Sequence, residues 1–180
     1  MSQLSATSEV VAWVAGAVLL LAGVAKLRWP AGTVAALADA RLPGNATVVR
    51  LLGATEVAAG LGILLVGGRL PAAVAALLYA GFTVFVVRQR RAAGGSCGCF
   101  GEERTPVSAA HVAVNVLAAG GTALAAAGAA RPLLGALAGN VVALVGTLVL
   151  VATCAWLVRL GLTAGAELQA AVALHPEASA

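Results

Sequence analysis

The chain has 180 residues, of which 61% are hydrophobic and 10% charged, with a mean hydropathy of +1.00 and a formal net charge of +4. Soluble domains carry about 25% charged residues, so this excess of apolar side chains excludes a soluble fold. The basic residues stand beside apolar runs and only 4% of residues are aromatic, which excludes a nucleic-acid surface. The apolar runs are each near the roughly 20 residues that cross a hydrocarbon core. They predict an all-α, polytopic helical bundle in contact with the lipid bilayer.

The first run spans about Val10 to Leu27. Met1 to Ser8 hold no Lys or Arg, so the basic n-region of a cleavable signal is missing and the run is expected to be retained as a span. Trp13 and Trp29 stand near its ends as interface anchors. Lys26 and Arg28 close it, and Pro30 stops it. Gly16 and Gly23 share a helix face that permits close contact. From Ala31 to Asn45, the near-helical spacing of Val34, Leu37, Ala38 and Leu42 predicts a short interfacial helix. The turn Leu42-Pro43-Gly44-Asn45 ends it. The second span, about Thr47 to Val66, carries Glu56 within an apolar run, with Gly60 and Gly62 after it. Gly67-Gly68-Arg69 makes a tight turn. The third, about Leu70 to Val87, has Pro71 in its first turn and closes on Arg88, Arg90 and Arg91.

Between the third and fourth spans lies a Gly-rich polar loop, Ala92 to Arg104, containing Ser96-Cys97-Gly98-Cys99-Phe100-Gly101. The fourth span is predicted to begin at Thr105-Pro106, a cap followed by proline, and to run to about Ala130 with His111 and Asn115 on one face. After Arg131-Pro132, a single further span is expected over Leu133 to Val158, with Gly135 and Gly139 in GxxxG spacing. A short, weakly amphipathic tail follows Arg159. No repeat or soluble domain is visible. The predicted organisation is a four-helix core over residues 1–130 and an additional C-terminal transmembrane helix with its tail over 131–180.

Lys26, Arg28, Arg41, Arg50, Arg88, Arg90, Arg91, Arg104 and Arg159 fall on one face of this bundle, against Arg69 and Arg131 on the other. The positive-inside rule puts the N-terminus outside and the cysteine loop on the cytoplasmic face of the cell membrane. Whatever the absolute orientation, Lys26, Glu56, the cysteine loop, His111 and Asn115 belong to the same half of the bilayer. At 1.5 Å per residue, Glu56 lies roughly 12 Å below its helix end and His111 roughly 7 Å.

Cys97 and Cys99 carry the candidate chemistry. A disulfide across Cys-Gly-Cys closes a very small ring, and strain of that kind makes the bond labile. Gly98 removes a side chain that would add crowding. Arg88, Arg90, Arg91 and Arg104, with the N-terminus of the fourth span, favour the reactive thiolate, while Glu102 and Glu103 oppose it. The readings are thiol–disulfide exchange, metal binding by two thiolates plus His111, or a passive pair. One CxC alone cannot fill a tetrahedral site, and no metal is assigned. Glu56 is either the ion-pair partner of Lys26 or a proton acceptor for the thiol chemistry or for a quinone-like partner. His111 and Asn115 either fix helix packing by hydrogen bonds, or His111 is the base that deprotonates a cysteine. Cys154, alone in an apolar run, reads as a small hydrophobe.

Ala22-Gly23-Val24-Ala25-Lys26-Leu27, Leu42-Pro43, Glu56 with Gly60, and above all Cys97-Gly98-Cys99-Phe100-Gly101 followed by Asn115 resemble the MauE/DoxX family of redox-associated membrane proteins over about residues 10 to 130. The resemblance implies a four-helix membrane bundle. MauE-like proteins are associated with methylamine utilisation and the maturation of the disulfide-rich small subunit of methylamine dehydrogenase, and homologues occur outside that pathway. Where the family often has a basic residue before the asparagine of its fourth helix, this chain has Val114, with His111 nearby. The function expected is a membrane thiol–disulfide oxidoreductase. Its Cys97 and Cys99 exchange electrons with a thioredoxin-like or disulfide-containing protein, and a membrane quinone is a candidate acceptor. Lys26, Asn115, Gly98 and Phe100 support the site. The alternative is a metal-binding or structural assembly subunit.

Overall fold

The computed structural model describes residues 3–91, 97–100, 106–128, 130–137 and 139–174, with side chains over 7–164. Among these, α1 is Gln3–Arg28, α2 is Ala31–Asp39 and α3 is Ala46–Leu61, which widens into a π-helical turn at Gly62–Val66. They are followed by α4 (Arg69–Arg91), α5 (Ala109–Gly128), α6 (Leu133–Ala136) and α7 (Val141–Leu174). No strand occurs among the described residues. Segments of α1, α3 with its π turn, α4, α5 and α7 are each long and apolar enough to cross a membrane. Large apolar side chains such as Leu51, Leu77, Leu117 and Val142 are exposed on them. On spanning helices such faces meet lipid, and every backbone polar group inside the bilayer is satisfied within its own helix. The chain is an all-α, multi-pass membrane protein.

Helix α1 is the axis of the bundle, packing against α3, α5 and α7, while α4 packs along α5. The α1–α3 contact is made by glycines. A Cβ on Gly23 would stand 2.6 Å from the Gly53 carbonyl oxygen, one on Gly53 would stand 2.8 Å from that of Gly23, and one on Gly60 would stand 2.5 Å from that of Gly16. The backbones therefore touch, as small residues allow in membrane helices. Around this seam the core is built of Leu19, Ile63 and many alanines, among them Ala12, Ala72, Ala75 and Ala125. Tyr79 Oη of α4 donates to the Ala15 carbonyl of α1 at 2.7 Å.

At the bundle end opposite the cysteine loop, Arg131 Nε and Nη2 each donate to a Glu9 carboxylate oxygen at 3.0 Å. The hydrogen bonds and charge of Glu9 hold the Arg131 guanidinium protonated further above its ordinary range. Trp13 Nε1 donates to the Arg131 carbonyl at 3.1 Å. Trp13 is thus buried in the bundle end; the interface anchor expected at that position is satisfied from within the protein.

Several boundaries differ from the sequence reading. The fourth span starts at Ala109, not at Thr105-Pro106. Pro106 precedes the helix, Ser108 supplies the polar group at its start, and Thr105 lies outside the described residues, as do Ser96, Gly101, Glu102, Glu103 and Arg104. Helix α4 runs on through Arg88, Arg90 and Arg91. The single helix expected over Leu133 to Val158 is two. Gly139 adopts φ +95°, which breaks the helix and removes Gly139 from any GxxxG face, and Asn140 Oδ1 then caps α7 by accepting from Ala143 N at 2.9 Å. Beyond Arg159 the chain stays helical to Leu174 instead of becoming a tail.

Candidate functional site

The site starts from the glycine seam. Because Gly23 and Gly53 bring α1 against α3, Lys26 and Glu56, each three residues further along its helix, meet inside the bundle. Lys26 Nζ stands 2.9 Å from Glu56 Oε1 and donates to Oε2 at 3.0 Å. Both side chains are buried, Glu56 completely. Glu56 Oε1 has the charge beside it but no hydrogen bond among the described residues. The Phe82 ring of α4 lies under the ammonium, its centroid 5.6 Å away, within the range of a cation–π contact.

The third partner of Lys26 is the cysteine loop. Nζ donates to the backbone carbonyl of Cys99 at 2.9 Å. Cys97 and Cys99 are joined as a disulfide, their Cα atoms 5.1 Å apart. Cys97 is buried, whereas Cys99 and Phe100 are half-buried. Gly98, between them, has φ +57°, a conformation costly for residues with a Cβ. A Cβ there would also lie 2.7 Å from the Gly32 carbonyl oxygen and 2.9 Å from Thr33 Cα. The loop is thus seated on the first turn of α2, where Thr33 Oγ1 donates to the Gly98 carbonyl at 2.6 Å. Helix α2 is in turn tied to α4 by Gln89 Nε2, which donates to the Ala36 carbonyl at 3.2 Å.

His111 and Asn115 stand on one buried face of α5. The backbone N–H of Ser108 donates to His111 Nδ1 at 3.2 Å, and Ser108 Oγ lies 3.0 Å from the same atom. A backbone amide can only donate, so Nδ1 is the acceptor, and the neutral ring carries its proton on Nε2. Nε2 has no hydrogen-bond partner among the described residues. Asn115 Nδ2 donates to the His111 carbonyl at 2.7 Å, leaving Oδ1 without a hydrogen-bond partner among the described residues.

A cavity of about 330 Å³ joins these groups. Cys97, Cys99, Lys26, His111 and Asn115 all line it, within otherwise apolar walls that include Phe100 and Leu162. Of the site residues expected from the sequence, Cys97, Cys99, Lys26, His111, Asn115 and Phe100 line the cavity, while Glu56 and Gly98 touch it through Lys26 and through the loop backbone. No hydrogen bond links His111 to either cysteine among the described residues. Thr33, Ser108, Phe82 and Leu162 were not singled out. Thr33 follows a glycine in a connection read only for its apolar spacing, and Ser108 lies three residues before His111, a spacing that does signal a side chain closing on a helix start. Phe82 and Leu162 reach the site through tertiary packing alone. Cys154 is a free, half-buried thiol of α7. Among the described residues, no group of three or more His, Cys, Asp or Glu could hold a metal ion.

Compared with known proteins, residues 4–131 match the family described as "Methylamine utilisation protein MauE". No curated protein and no solved structure matches the chain.

Proposed function

The chain belongs to the methylamine utilisation protein MauE family, and we propose that it is a membrane thiol–disulfide exchange protein whose reactive pair is Cys97 and Cys99. The observation that carries this reading is the seating of the pair. Its loop is fixed from below by Lys26, on the Cys99 carbonyl, and from the side by Thr33, on the Gly98 carbonyl. A passive loop has no need of a buried, carboxylate-balanced ammonium spent on one backbone oxygen.

The step is a two-electron exchange. A partner thiolate attacks the half-buried Cys99 sulfur, the Cys97–Cys99 bond breaks, and Cys97 leaves as a thiolate that takes up a proton. The partner's second thiol then attacks the mixed disulfide and releases Cys99, so that the partner is oxidised and this chain reduced. Run backwards, the same steps reduce a partner disulfide. Lys26 lies beside the loop and stabilises negative charge on sulfur. Glu56 acts through Lys26 as a positioning residue. With its proton on Nε2, His111 serves the cavity as a donor, in place of the base role read from its residue type. A thioredoxin-like protein or a disulfide-containing substrate protein is the partner of matching chemistry, on the cytoplasmic face if the arginine distribution sets the orientation.

The test is a redox titration of the purified protein in sealed vesicles, with thiol labelling from one side. A reversible two-electron titration of Cys97 and Cys99 in the range of about −120 to −270 mV covered by dithiol oxidoreductases is expected. A pair that stays oxidised across that range would sink the proposal.

A further inference from the structure

We propose that the cavity beneath the disulfide binds the head group of a lipid-soluble quinone, which accepts the electrons released by Cys97 and Cys99. This rests on the exchange reading above and names its second substrate.

The volume, about 330 Å³, lies in the range of small-molecule sites, about 300–1,000 Å³, and the lining is mostly apolar with a few convergent polar groups. Cys97 and Cys99 both line it, so an acceptor held there is beside the pair that must give up electrons. His111 and Asn115 line it from α5, each with one polar atom unpartnered among the described residues, and the two atoms are complementary to a carbonyl becoming a hydroxyl. His111 Nε2–H can donate to a quinone oxygen, and Asn115 Oδ1 can accept from the hydroxyl that forms. Leu77 and Gly81 also line the cavity, and both are exposed in the middle of α4, Leu77 by 74%. On a spanning helix that exposed face meets hydrocarbon, so the cavity opens toward lipid. A molecule dissolved in the bilayer can enter by this route. Leu162 of α7, which lies outside the residues matched to the family, closes part of the wall.

The reaction balances without a further reagent. The two thiols give up two electrons and two protons, the S–H bonds break and the S–S bond forms. The quinone gains both electrons and both protons as its two O–H bonds form.

The experiment uses the full chain in quinone-free lipid nanodiscs, reduced and freed of reductant under argon. Ubiquinone and menaquinone carrying a single prenyl unit are the probes, and quinol formation is followed by absorbance while thiols are counted. One quinol per two thiols lost is expected with at least one probe. Leu162→Trp, and as a second plug Val114→Phe on the α5 wall of the same cavity, should slow quinol formation by at least about tenfold. Both should leave mixed-disulfide formation with a dithiol peptide within about twofold. Thiol exchange with the peptide but no quinol from either probe overturns the inference and spares the exchange reading. Quinol formation at the unchanged rate in both plugged variants also overturns it. Loss of both activities in the unsubstituted chain overturns both readings.

Discussion

The Lys26 ammonium donates to the Cys99 carbonyl at 2.9 Å while it is held by the buried Glu56 carboxylate. A charge pair inside the membrane is thereby bonded to the cysteine loop at its edge. A buried pair is weak evidence for stability, because desolvation offsets the attraction, but losing one partner strands the other. Lys26→Met should therefore destabilise the protein by about 3–5 kcal/mol, and adding Glu56→Met should recover most of that loss. Thermal unfolding in detergent of the two single variants and the double variant checks this. A double variant no more stable than Lys26→Met would mean that the pair is not the source of the effect.

The same bond predicts a chemical effect. In Glu56→Gln, Lys26 keeps its charge but loses its counter-charge. In Lys26→Met the loop loses the cation that favours thiolate. Alkylation of the reduced pair at neutral pH should slow severalfold in Lys26→Met and not in Glu56→Gln. Equal rates in the two variants would show that Lys26 acts on the loop only as a prop.

Gly98 is constrained twice, by its φ of +57° and by the Gly32 backbone 2.7 Å from where a Cβ would stand. Gly98→Ala should lift the loop from α2, at a cost of about 1–2 kcal/mol for the backbone conformation alone. Since Cys97 is buried in the native loop, its reaction with a membrane-impermeant maleimide after reduction should become markedly faster. An unchanged rate would show that the contact with α2 does not shield the sulfur.

Thr33→Val removes one hydroxyl and keeps the shape. The Gly98 carbonyl then loses its 2.6 Å hydrogen bond in a buried place, a cost of about 1–3 kcal/mol. Amide hydrogen exchange over residues 97–100 should accelerate while exchange in α5 stays as it is. A global increase would instead place Thr33 in the stability of the whole bundle.

The two cysteines should differ as traps. Cys99 is the more accessible sulfur and Cys97 is buried. Cys97→Ser should accumulate a mixed disulfide with a partner through Cys99, and Cys99→Ser much less. Non-reducing electrophoresis with mass spectrometry of the adduct reads this directly. The opposite order would make Cys97 the entry point.

Composition and run length made the membrane bundle legible, because hydrocarbon leaves the backbone no alternative to helices. The pairing of Lys26 with Glu56 was also within reach, since an intramembrane carboxylate calls for a cation and both residues lie in one half of the bilayer. The π-helical turn at Gly62–Val66 and the break at Gly139 were not, because each depends on how a neighbouring segment packs. Nor did any local signal show that α2 is the seat of the cysteine loop. Thr33 and Gly32 acquire that role only when the chain returns after two more helices. Leu162 is the extreme case: an ordinary apolar residue in an apolar helix, distinguished only by the wall on which it ends.

At the crossing of α1 and α3, the missing side chains of Gly23 and Gly53 have a reach beyond packing. A single methyl group at either would wedge the two backbones apart and draw the ammonium away from its carboxylate, three residues along. The slack would pass to the sulfur pair through one carbonyl. Two residues with no chemistry of their own thus act as the gauge block against which the cysteine end of the protein is set.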